Sequence, residues 1–520
     1  MQTSIQDLPE EMLVKITSYL DLEDRKSVSR VCLWWSKLAF RQSNVQLEID
    51  VRKSRRDCNC SSKCGCNLDR TYLRVLMASQ RHYKHLLFYF GTRQNKTDLM
   101  LTILSKFAKS LETLKLISDC SVSVRLDFLR RIVDYCQNLK TLHLQSILFY
   151  DNEGEAIRFG VLPKLERLYL RSNLLELTQV DVKTITPNIT SLFMRVSYVS
   201  KRPVDFVTYF ASRLTQLDVC FLTADYFQPF SKLHFPRLEK FSLSSADSLV
   251  EEDEYLEEYV DFVQRLGKLK EIKLQYKIST AVLGNLVQFC ENLVVLSLYT
   301  EDLTDEHFLG LAELKCLKTL RLMKATIVIR QPELCPVLPN VQQLTVDGAT
   351  IENCHTFNGF LRHSFPALVS LQLFRLCNKQ ENERCSTLSF YKIILGNLTA
   401  LERLALDEHG KLLSWYLLAT FTALTRLREL RLRFKAMTDR PLMSGQLRRV
   451  ANTIPVNTLI LSFIKIKNRE IRKLVYMFPN VRLIEAVGCS PVGLQSVRNI
   501  LPNCVVRQKH KLRMDEYKKD

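Results

Sequence analysis

The chain has 520 residues, which is too long for one ordinary globular domain unless the architecture is repetitive. Its formal net charge of +19 suggests acidic or phosphorylated partners, RNA or anionic membrane surfaces, without choosing among them. The sequence shows neither a long apolar window nor an apolar signal core near its start. We therefore expect no membrane association and an intracellular location, cytoplasmic and/or nuclear, in which the 16 cysteines stay mostly reduced.

The first predicted element is a helical segment over residues 7–41. Leu8-Pro9-Glu10-Glu11 has the features of a helix start, because proline suits the first turn and acidic side chains favour the positive end of the helix dipole. The apolar residues that follow at three- and four-residue spacing are Met12, Leu13, Ile16, Tyr19 and Leu20. About forty residues rarely hold a stable core alone. The segment is therefore either a cap for a repeat array or a docking module with an exposed apolar face.

A cysteine-rich stretch at residues 52–68 follows a candidate first strand near residue 45. Its four thiols are Cys58, Cys60, Cys64 and Cys66. Their spacing is C-x-C-x3-C-x-C, whereas common zinc sites use paired C-x2-C motifs. We interpret the stretch as a surface insertion rich in Lys and Arg and assign no metal to the chain. Zinc bound by the four thiolates is the alternative, and palmitoylation and redox sensing are weaker ones.

A hexamer pattern then dominates the chain: an apolar residue, two others, Leu, any residue and Leu. It recurs fifteen times between residues 111 and 486, at intervals of 24 to 33 residues, and one earlier copy starts at residue 83. This period falls in the range of leucine-rich repeats. The end of each hexamer alternates with period two, which predicts a short strand, and the residues between hexamers show helical spacing.

One such predicted helix lies in the stretch TAVLGNLVQFCENL. Val282, Leu283, Leu286, Phe289 and Cys290 share its apolar face, with Thr280 as the N-cap. Cys136 and Cys290 each lie three residues before a hexamer, which resembles the cysteine-containing subclass of leucine-rich repeats.

These elements predict an α/β fold. A small N-terminal helical segment is followed by a curved leucine-rich-repeat solenoid with a parallel sheet on its concave face. We predict domain bounds of 1–42 for the helical segment and 43–506 for the solenoid, which includes the insertion at 52–68. Residues 507–520 form a basic tail, which we predict to be flexible.

The helical segment resembles the F-box motif. The residues that carry the resemblance are Leu8-Pro9, Ile16, Tyr19-Leu20, Asp24, Val31-Cys32 and Trp35. Arg25 and Lys26 depart from it, because many family members are apolar there, and Trp34 is an additional aromatic residue. An F-box followed by leucine-rich repeats is similar to the substrate receptors of SCF-type cullin-RING ubiquitin ligases.

The resemblance implies a division of labour in which this chain has no catalytic residue. The F-box would bind the small Skp-family adaptor, which joins it to a cullin scaffold, and the repeats would hold a protein substrate for ubiquitination. The residues implied in adaptor binding are Leu8, Pro9, Leu13, Ile16, Leu20, Val31, Cys32 and Trp35. The sequence contains no GxxxxGK[ST], GxSxG or HExxH motif, and we expect no cofactor.

The third and fifth residues of each hexamer, and the residue just beyond it, point away from the leucine core. In two successive repeats these positions include Arg167, Tyr169, Arg171, Phe193 and Arg195. Because neighbouring strands lie about 5 Å apart, we predict one patch suited to an acidic or phosphorylated segment of a substrate. Further candidates for substrate binding are Arg321, Arg403, Arg431 and Arg433. A solvated sheet without a ligand is the alternative.

Three classes of function follow: a ubiquitin-ligase receptor, a repeat scaffold or inhibitor without a ligase role, and an RNA-binding protein. We favour the receptor because of the F-box resemblance. We expect no nucleic-acid partner, because the positive charge is spread along the chain and no RNA-binding signature is present. The sequence does not identify the substrate or its degradation signal.

Overall fold

The structure is a computed structural model of the chain. Its described residues are 5, 8–20, 22–41, 46–51, 68–79, 82–90, 97–150, 160–171, 186–195, 203–221, 227–245, 256–275, 280–299, 302–378, 393–395, 398–408, 421, 423–434, 455–462, 478, 480–487 and 504–509. Among them, no helix combines the length and apolar character needed to cross a lipid bilayer. The chain divides into two compact units, which are residues 1–238 with 244–247, and residues 239–243 with 248–520.

Three short helices open the chain: α1 (Glu10–Ser18), α2 (Leu22–Ser29) and α3 (Leu33–Arg41). The remaining helices lie between strands. They are α4 (Leu68–Ala78), α5 (Thr97–Phe107), α6 (Leu126–Tyr135), α7 (Pro203–Phe210), α8 (Phe227–Ser231), α9 (Leu256–Gln264), α10 (Thr280–Phe289), α11 (Asp305–Leu311) and α12 (Cys354–Ser364).

The strands begin soon after the third helix. In the first unit they are β1 (Gln46–Asp50), β2 (His85–Phe90), β3 (Thr113–Arg125), β4 (Thr141–Tyr150), β5 (Arg167–Arg171), β6 (Ser191–Arg195) and β7 (Gln216–Phe221). All neighbours in this series pair in parallel and in chain order. The copy of the hexamer at residue 83 and the candidate first strand near residue 45 are both confirmed, as β2 and β1.

The second unit repeats this arrangement. Its main strands are β8 (Lys240–Ser245), β9 (Glu271–Gln275), β10 (Val295–Tyr299), β12 (Thr319–Met323), β14 (Gln343–Asp347), β16 (Ser370–Phe374), β18 (Arg403–Glu408), β19 (Glu429–Phe434), β20 (Thr458–Ser462), β21 (Leu483–Val487) and β22 (Val505–Lys509). From β9 to β22 each pairs in parallel with the next. A smaller parallel sheet holds β11 (Asp302–Thr304), β13 (Thr326–Val328), β15 (Thr350–Ile351) and β17 (Cys377–Asn378).

Leucines at one hexamer position form a continuous buried row in the first unit. Leu114, Leu142 and Leu168 lie in register on successive strands and are almost fully buried. Cys136 and Cys290 are buried beside such rows, as expected for the cysteine-containing subclass. Since no single repeat can bury its own leucines, each repeat depends on its neighbours. The predicted strand-and-helix leucine-rich-repeat fold is confirmed.

Helix α10 tests the predicted apolar face. Val282, Leu283, Leu286 and Cys290 are buried as predicted. Val287 completes the buried face, whereas Phe289 is only half-buried. Thr280, predicted to be the N-cap, is the first residue of the helix.

A row of asparagines links successive repeats and was not predicted. An Asn directly before the first hexamer residue donates a side-chain N–H to a carbonyl of the preceding repeat. Asn138 donates to Lys109 O at 2.8 Å, Asn188 to Pro163 O at 2.7 Å, and Asn340 to Lys315 O at 2.7 Å. These bonds satisfy carbonyls in the loops that lead into the strands.

Candidate partner-binding surfaces

The N-terminal helices share a small core. Leu13, Val14 and Leu38 are buried, and Trp35 packs against them. The Thr17 hydroxyl lies 3.0 Å from Val14 O and 3.4 Å from Leu38 O, and so adds a polar link between α1 and α3. With Ala39, four apolar residues are buried among the described side chains of the three helices, which is few, as expected for a segment that is completed by a further surface.

Arg25 explains one departure from the F-box pattern. Its side chain is only 8% exposed. It donates from Nε to Leu20 O at 2.9 Å and from a terminal nitrogen to Ser18 O at 2.6 Å. Carbonyls at the end of a helix lack intrahelical partners and carry partial negative charge. The guanidinium of α2 therefore caps the C-terminal end of α1, a role that an apolar residue at this position cannot have.

The other side of α1 presents apolar side chains to solvent. Leu8 is 38% exposed, Ile16 is 41% exposed and Tyr19 is 79% exposed. Met12 is exposed on the same side, one helical turn before Ile16. A contiguous exposed apolar face of this kind indicates a surface for a protein partner.

The structure divides the residues predicted to bind the adaptor. Leu8, Pro9, Ile16, Val31 and Cys32 are exposed. Leu20 and Trp35 are half-buried. In contrast, Leu13 has no exposed surface, because it belongs to the helical core. Leu13 is therefore placed to support the surface from below.

The prediction omitted four exposed apolar residues of this segment. They are Met12, Tyr19, Leu33 and Trp34. The Trp34 ring packs edge to face on Trp35, with 5.5 Å between ring centroids. Trp35 in turn packs against the buried residues of the helical core. The spacing of Met12, Ile16 and Tyr19 contained the signal, because residues three and four apart share a helix face.

A second surface lies on the sheet of the first unit. Tyr169 and Phe193 are directly opposite on β5 and β6, and their rings stack with centroids 4.0 Å apart and planes 6° apart. His143 on β4 stacks on Tyr169 at 5.3 Å and 16°. We call His143, Tyr169 and Phe193 the ring row. His143 occupies the same hexamer position as the other two, which was the signal that sequence reasoning missed.

Arginines flank the ring row along the strands. Arg167 and Arg171 lie two residues either side of Tyr169, and Arg195 lies two residues after Phe193. Arg171 and Arg195 are directly opposite each other. The five residues predicted to form one patch therefore do lie together on adjacent strands. Burial raises the pKa of the Tyr169 hydroxyl, and Asp218 adds to this effect while Arg167 opposes it, so the phenol is neutral near pH 7.

The remaining predicted arginines do not join this patch. Arg321 lies on β12, and Arg403, Arg431 and Arg433 lie on the neighbouring strands β18 and β19. Here Arg403 is opposite Glu429, and Arg433 is opposite Asp407. The backbone register places Glu429 opposite Arg403, whereas in the Arg171 and Arg195 register two arginines are opposite each other.

Two buried cysteines of the described part of the chain are not activated thiols. Burial raises the pKa values of Cys136 and Cys290 to about 12, so both thiols are protonated and poorly nucleophilic near pH 7. No cluster of three metal-ligating side chains occurs in the described ranges. Cys58, Cys60, Cys64 and Cys66 lie outside those ranges, and zinc binding there stays an open alternative.

Comparison with known proteins gives one family match and several structural likenesses. Residues 5–44 match the F-box-like family. No curated protein matches the chain. A chain in the crystal structure of the yeast Rad7–Elc1 complex is 14% identical with a TM-score of 0.37, and the match covers 97% of this chain and 98% of that one.

Two further solved structures are similar in the same way. A leucine-rich-repeat protein of Leptospira interrogans is 14% identical with a TM-score of 0.30, covering 97% of this chain and 100% of that one. A chain in the TLR13–ssRNA13 complex is 15% identical with a TM-score of 0.37, covering 82% of this chain. The match spans only 52% of that TLR13 complex chain. Likenesses this low give no weight to any function.

Proposed function

We propose that this chain, an F-box-like segment followed by leucine-rich repeats, is the substrate-recognition subunit of an SCF-type ubiquitin ligase. The F-box-like helices dock a Skp-family adaptor, which links the chain to a cullin scaffold, and the repeat array holds the protein substrate. Catalysis belongs to other subunits. We propose a cytoplasmic and/or nuclear location, where such a complex would meet its substrates.

The observation that carries this proposal is the exposed apolar face of α1 within the segment that matches the F-box-like family. Leu8, Met12, Ile16 and Tyr19 leave it open to solvent, while Leu13 and Val14 secure the helix to α3. Burying a large apolar side chain contributes about 1.5–3 kcal/mol, so a few such residues suffice for a stable docking surface.

The experiment shortens two exposed apolar side chains of the F-box-like segment and leaves its buried residues unchanged. We expect the double variant Leu8→Ala with Ile16→Ala to abolish pull-down of a Skp-family adaptor, because both side chains lie on the surface. The circular dichroism of the full chain should stay unchanged for the same reason. A matched control is Leu309→Ala with Leu334→Ala, which removes two exposed leucines of the second unit.

Leu13→Ala provides a contrasting variant. It opens a cavity in the helical core and should lower adaptor binding by unfolding the segment, with a cost of about 2–5 kcal/mol. Adaptor binding that survives the Leu8 and Ile16 double variant would place the adaptor contact elsewhere, whereas a folded wild-type chain that binds no adaptor favours the other interpretation. In that case the helices cap the repeats, and the chain is a scaffold or inhibitor without a ligase role.

A further inference from the structure

Three hexamers have a glutamate at their second position and a cation at the second position of the next hexamer. The three neighbours are Glu112 with Lys140, Glu239 with Lys270, and Glu402 with Arg428. The main chain joins each of them in the same way, because the backbone N–H of the cation donates to the backbone carbonyl of the glutamate at 2.8 Å. The same side-chain ion pair is therefore expected at all three sites.

Two of these sites form the ion pair and the third does not. Lys140 Nζ lies 2.9 Å from a carboxylate oxygen of Glu112, and Lys270 Nζ lies 3.0 Å from one of Glu239. In contrast, neither the Glu402 carboxylate nor the Arg428 guanidinium forms an ion pair or a hydrogen bond with any described residue. Opposite charges that are held apart, although their main chains are bonded to each other, indicate a site that a ligand completes.

Both of these unpaired side chains line a cavity of about 410 Å³ in the second unit. The three successive repeats that contain β18, β19 and β20 contribute its wall, which consists of Glu402, Thr425, Arg426, Arg428, Pro455 and Asn457. Its volume is near the lower end of the range of about 300–1,000 Å³ that is usual for small-molecule sites. Most such sites are largely apolar, whereas this wall has one apolar residue, which indicates a small and polar ligand.

The wall of the cavity carries charges of both signs. Arg426 and Arg428 are positive and Glu402 is negative, so the wall has a net charge of +1. The side-chain oxygen of Asn457 accepts from the Thr458 hydroxyl at 3.0 Å, which leaves its amide nitrogen to donate to a ligand. A simple anion would meet the Glu402 carboxylate, and a simple cation would meet two guanidinium groups. The wall therefore fits a ligand that has both charges and a net charge of about −1.

We propose that this cavity binds a free acidic amino acid. Glu402 accepts from the α-ammonium group, Arg428 donates to the α-carboxylate, and Arg426 donates to the side-chain carboxylate. Neighbouring strands lie about 4.8 Å apart, so an ammonium and a carboxylate on one carbon atom can bridge Glu402 and Arg428 in place of the missing ion pair. Arginine suits both carboxylates, because its planar fork binds them through two parallel hydrogen bonds. The inference goes beyond the proposed receptor function and uses none of the residues of the F-box-like segment.

The test measures the binding of L-glutamate and L-aspartate to the purified full chain by isothermal titration calorimetry. We expect one saturable site per chain. For the amino acid that binds more tightly, the N-acetyl derivative lacks the ammonium group and the side-chain amide lacks the second carboxylate, so each should bind at least tenfold more weakly. The absence of saturable binding for both amino acids would overturn the proposal, and so would an N-acetyl derivative that binds as tightly as its parent.

Variants of the wall locate the site. Glu402→Gln keeps the shape of the side chain and removes its charge. It should lower the affinity for the acidic amino acid at least tenfold and raise the affinity for the N-acetyl derivative, because no carboxylate then repels the anion. Misfolding would lower both affinities, so it does not produce this reversal. Arg428→Gln should weaken both ligands at least tenfold. If Glu402→Gln weakens both ligands alike, its carboxylate does not hold the ammonium group and the proposal is wrong.

The paired site of the same unit provides the matched control. Glu239→Gln and Lys270→Gln remove charges at the same hexamer position, but their ion pair is formed without a ligand. Both should keep the affinity for the amino acid within twofold, and losses as large as those of the cavity variants would overturn the proposal. A peptide with an N-terminal glutamate lacks the free α-carboxylate and should bind at least tenfold more weakly than the free amino acid. Tighter binding of that peptide would assign the cavity to a protein terminus and would contradict the proposal.

Discussion

At the scale of single residues, Arg25 shows how a polar side chain can replace an apolar one in a small helical core. Its guanidinium joins the end of α1 to α2 through two carbonyls, which water would otherwise have to solvate. Hydrophobic spacing alone predicts an exposed arginine here. The cap depends on the turn at Tyr19 and Leu20 after α1, and spacing does not report that turn.

We predict that Arg25→Ala loosens α1. The loss of charged hydrogen bonds to Ser18 O and Leu20 O should cost about 1.5–3 kcal/mol. Amide hydrogen exchange in residues 10–18 should become faster, since local opening sets that rate. Arg30→Ala, at an exposed position of the same segment, is the control and should leave the exchange unchanged. Unchanged protection in the Arg25 variant would mean that the cap is not stabilising.

Glu112 is a second informative residue. Hydrogen bonds from Lys84 and then Lys140 lower the pKa of its carboxyl from 4.5 to about 2. A folded-state pKa below the unfolded value gives stability that is complete above about pH 4.5 and is lost as pH falls toward 2. The pair is partly exposed, so salt should weaken it.

The corresponding prediction concerns Glu112→Gln. The wild-type chain should have the higher unfolding midpoint at pH 7, and the difference should shrink as the pH approaches 2, where the carboxyl becomes protonated. Thermal unfolding of both chains at several pH values measures this directly. If the difference is the same at pH 7 and near pH 2, the ion pairs of Glu112 with Lys84 and Lys140 contribute nothing to stability.

At the scale of elements, side chains at the same position of successive hexamers lie next to each other on neighbouring strands. Tyr169 and Phe193 hold the fifth position of successive hexamers, and the repeat pattern alone therefore predicts that they lie side by side. His143 holds the same fifth position and was overlooked, whereas the stacking angles of the rings are known only from the structure. The strand register also separates the second group of arginines from this patch, because Arg403 has Glu429 opposite it on the neighbouring strand.

Arg195→Glu tests the energetics of this register. Replacing a like-charge pair by an opposite-charge pair should stabilise the first unit by about 0.2–1 kcal/mol. Urea unfolding of the full chain, with Arg237→Glu as a control away from the sheet face, measures the change. Stabilisation by the control to the same extent would assign the effect to net charge instead of to the pair.

Helix α1 shows why the sequence could predict the F-box-like segment but not its outer face. Both sides of this helix are apolar: Leu13 and Val14 face the core, while Met12, Ile16 and Tyr19 face solvent. Spacing identifies an amphipathic or wholly apolar helix, but it does not state which apolar stripe meets α3. The contacts of Leu38 and Trp35 make that choice, and they are known only from the packing.

At the scale of the whole molecule, repetition made most of the fold predictable. A hexamer repeated at regular intervals fixes strand, register and buried leucine row together, because each repeat is stabilised by its neighbours. The asparagine contacts were missed because each Asn lies outside the hexamer. The domain bounds remain predictions, and so do the roles of the site residues, which concern partners and not the fold of this chain.

The two proposed surfaces assign different parts of the molecule to different partners. The F-box-like helices offer an apolar face, whereas the sheet of the first unit offers arginines and ring edges. In the proposed function, apolar burial would provide affinity for the adaptor, and charge-assisted contacts would provide selectivity for the substrate. The absence of shared residues between the two surfaces means that each can be removed separately by mutation.

The adaptor interaction is the most direct test of the receptor function. The full chain and a purified Skp-family adaptor are mixed and separated by size-exclusion chromatography with light scattering. We predict a complex of one adaptor with one chain, which the Leu8 and Ile16 double variant does not form while the Leu309 and Leu334 control does. Separate elution of a folded wild-type chain and adaptor would contradict the assignment to a ubiquitin-ligase complex.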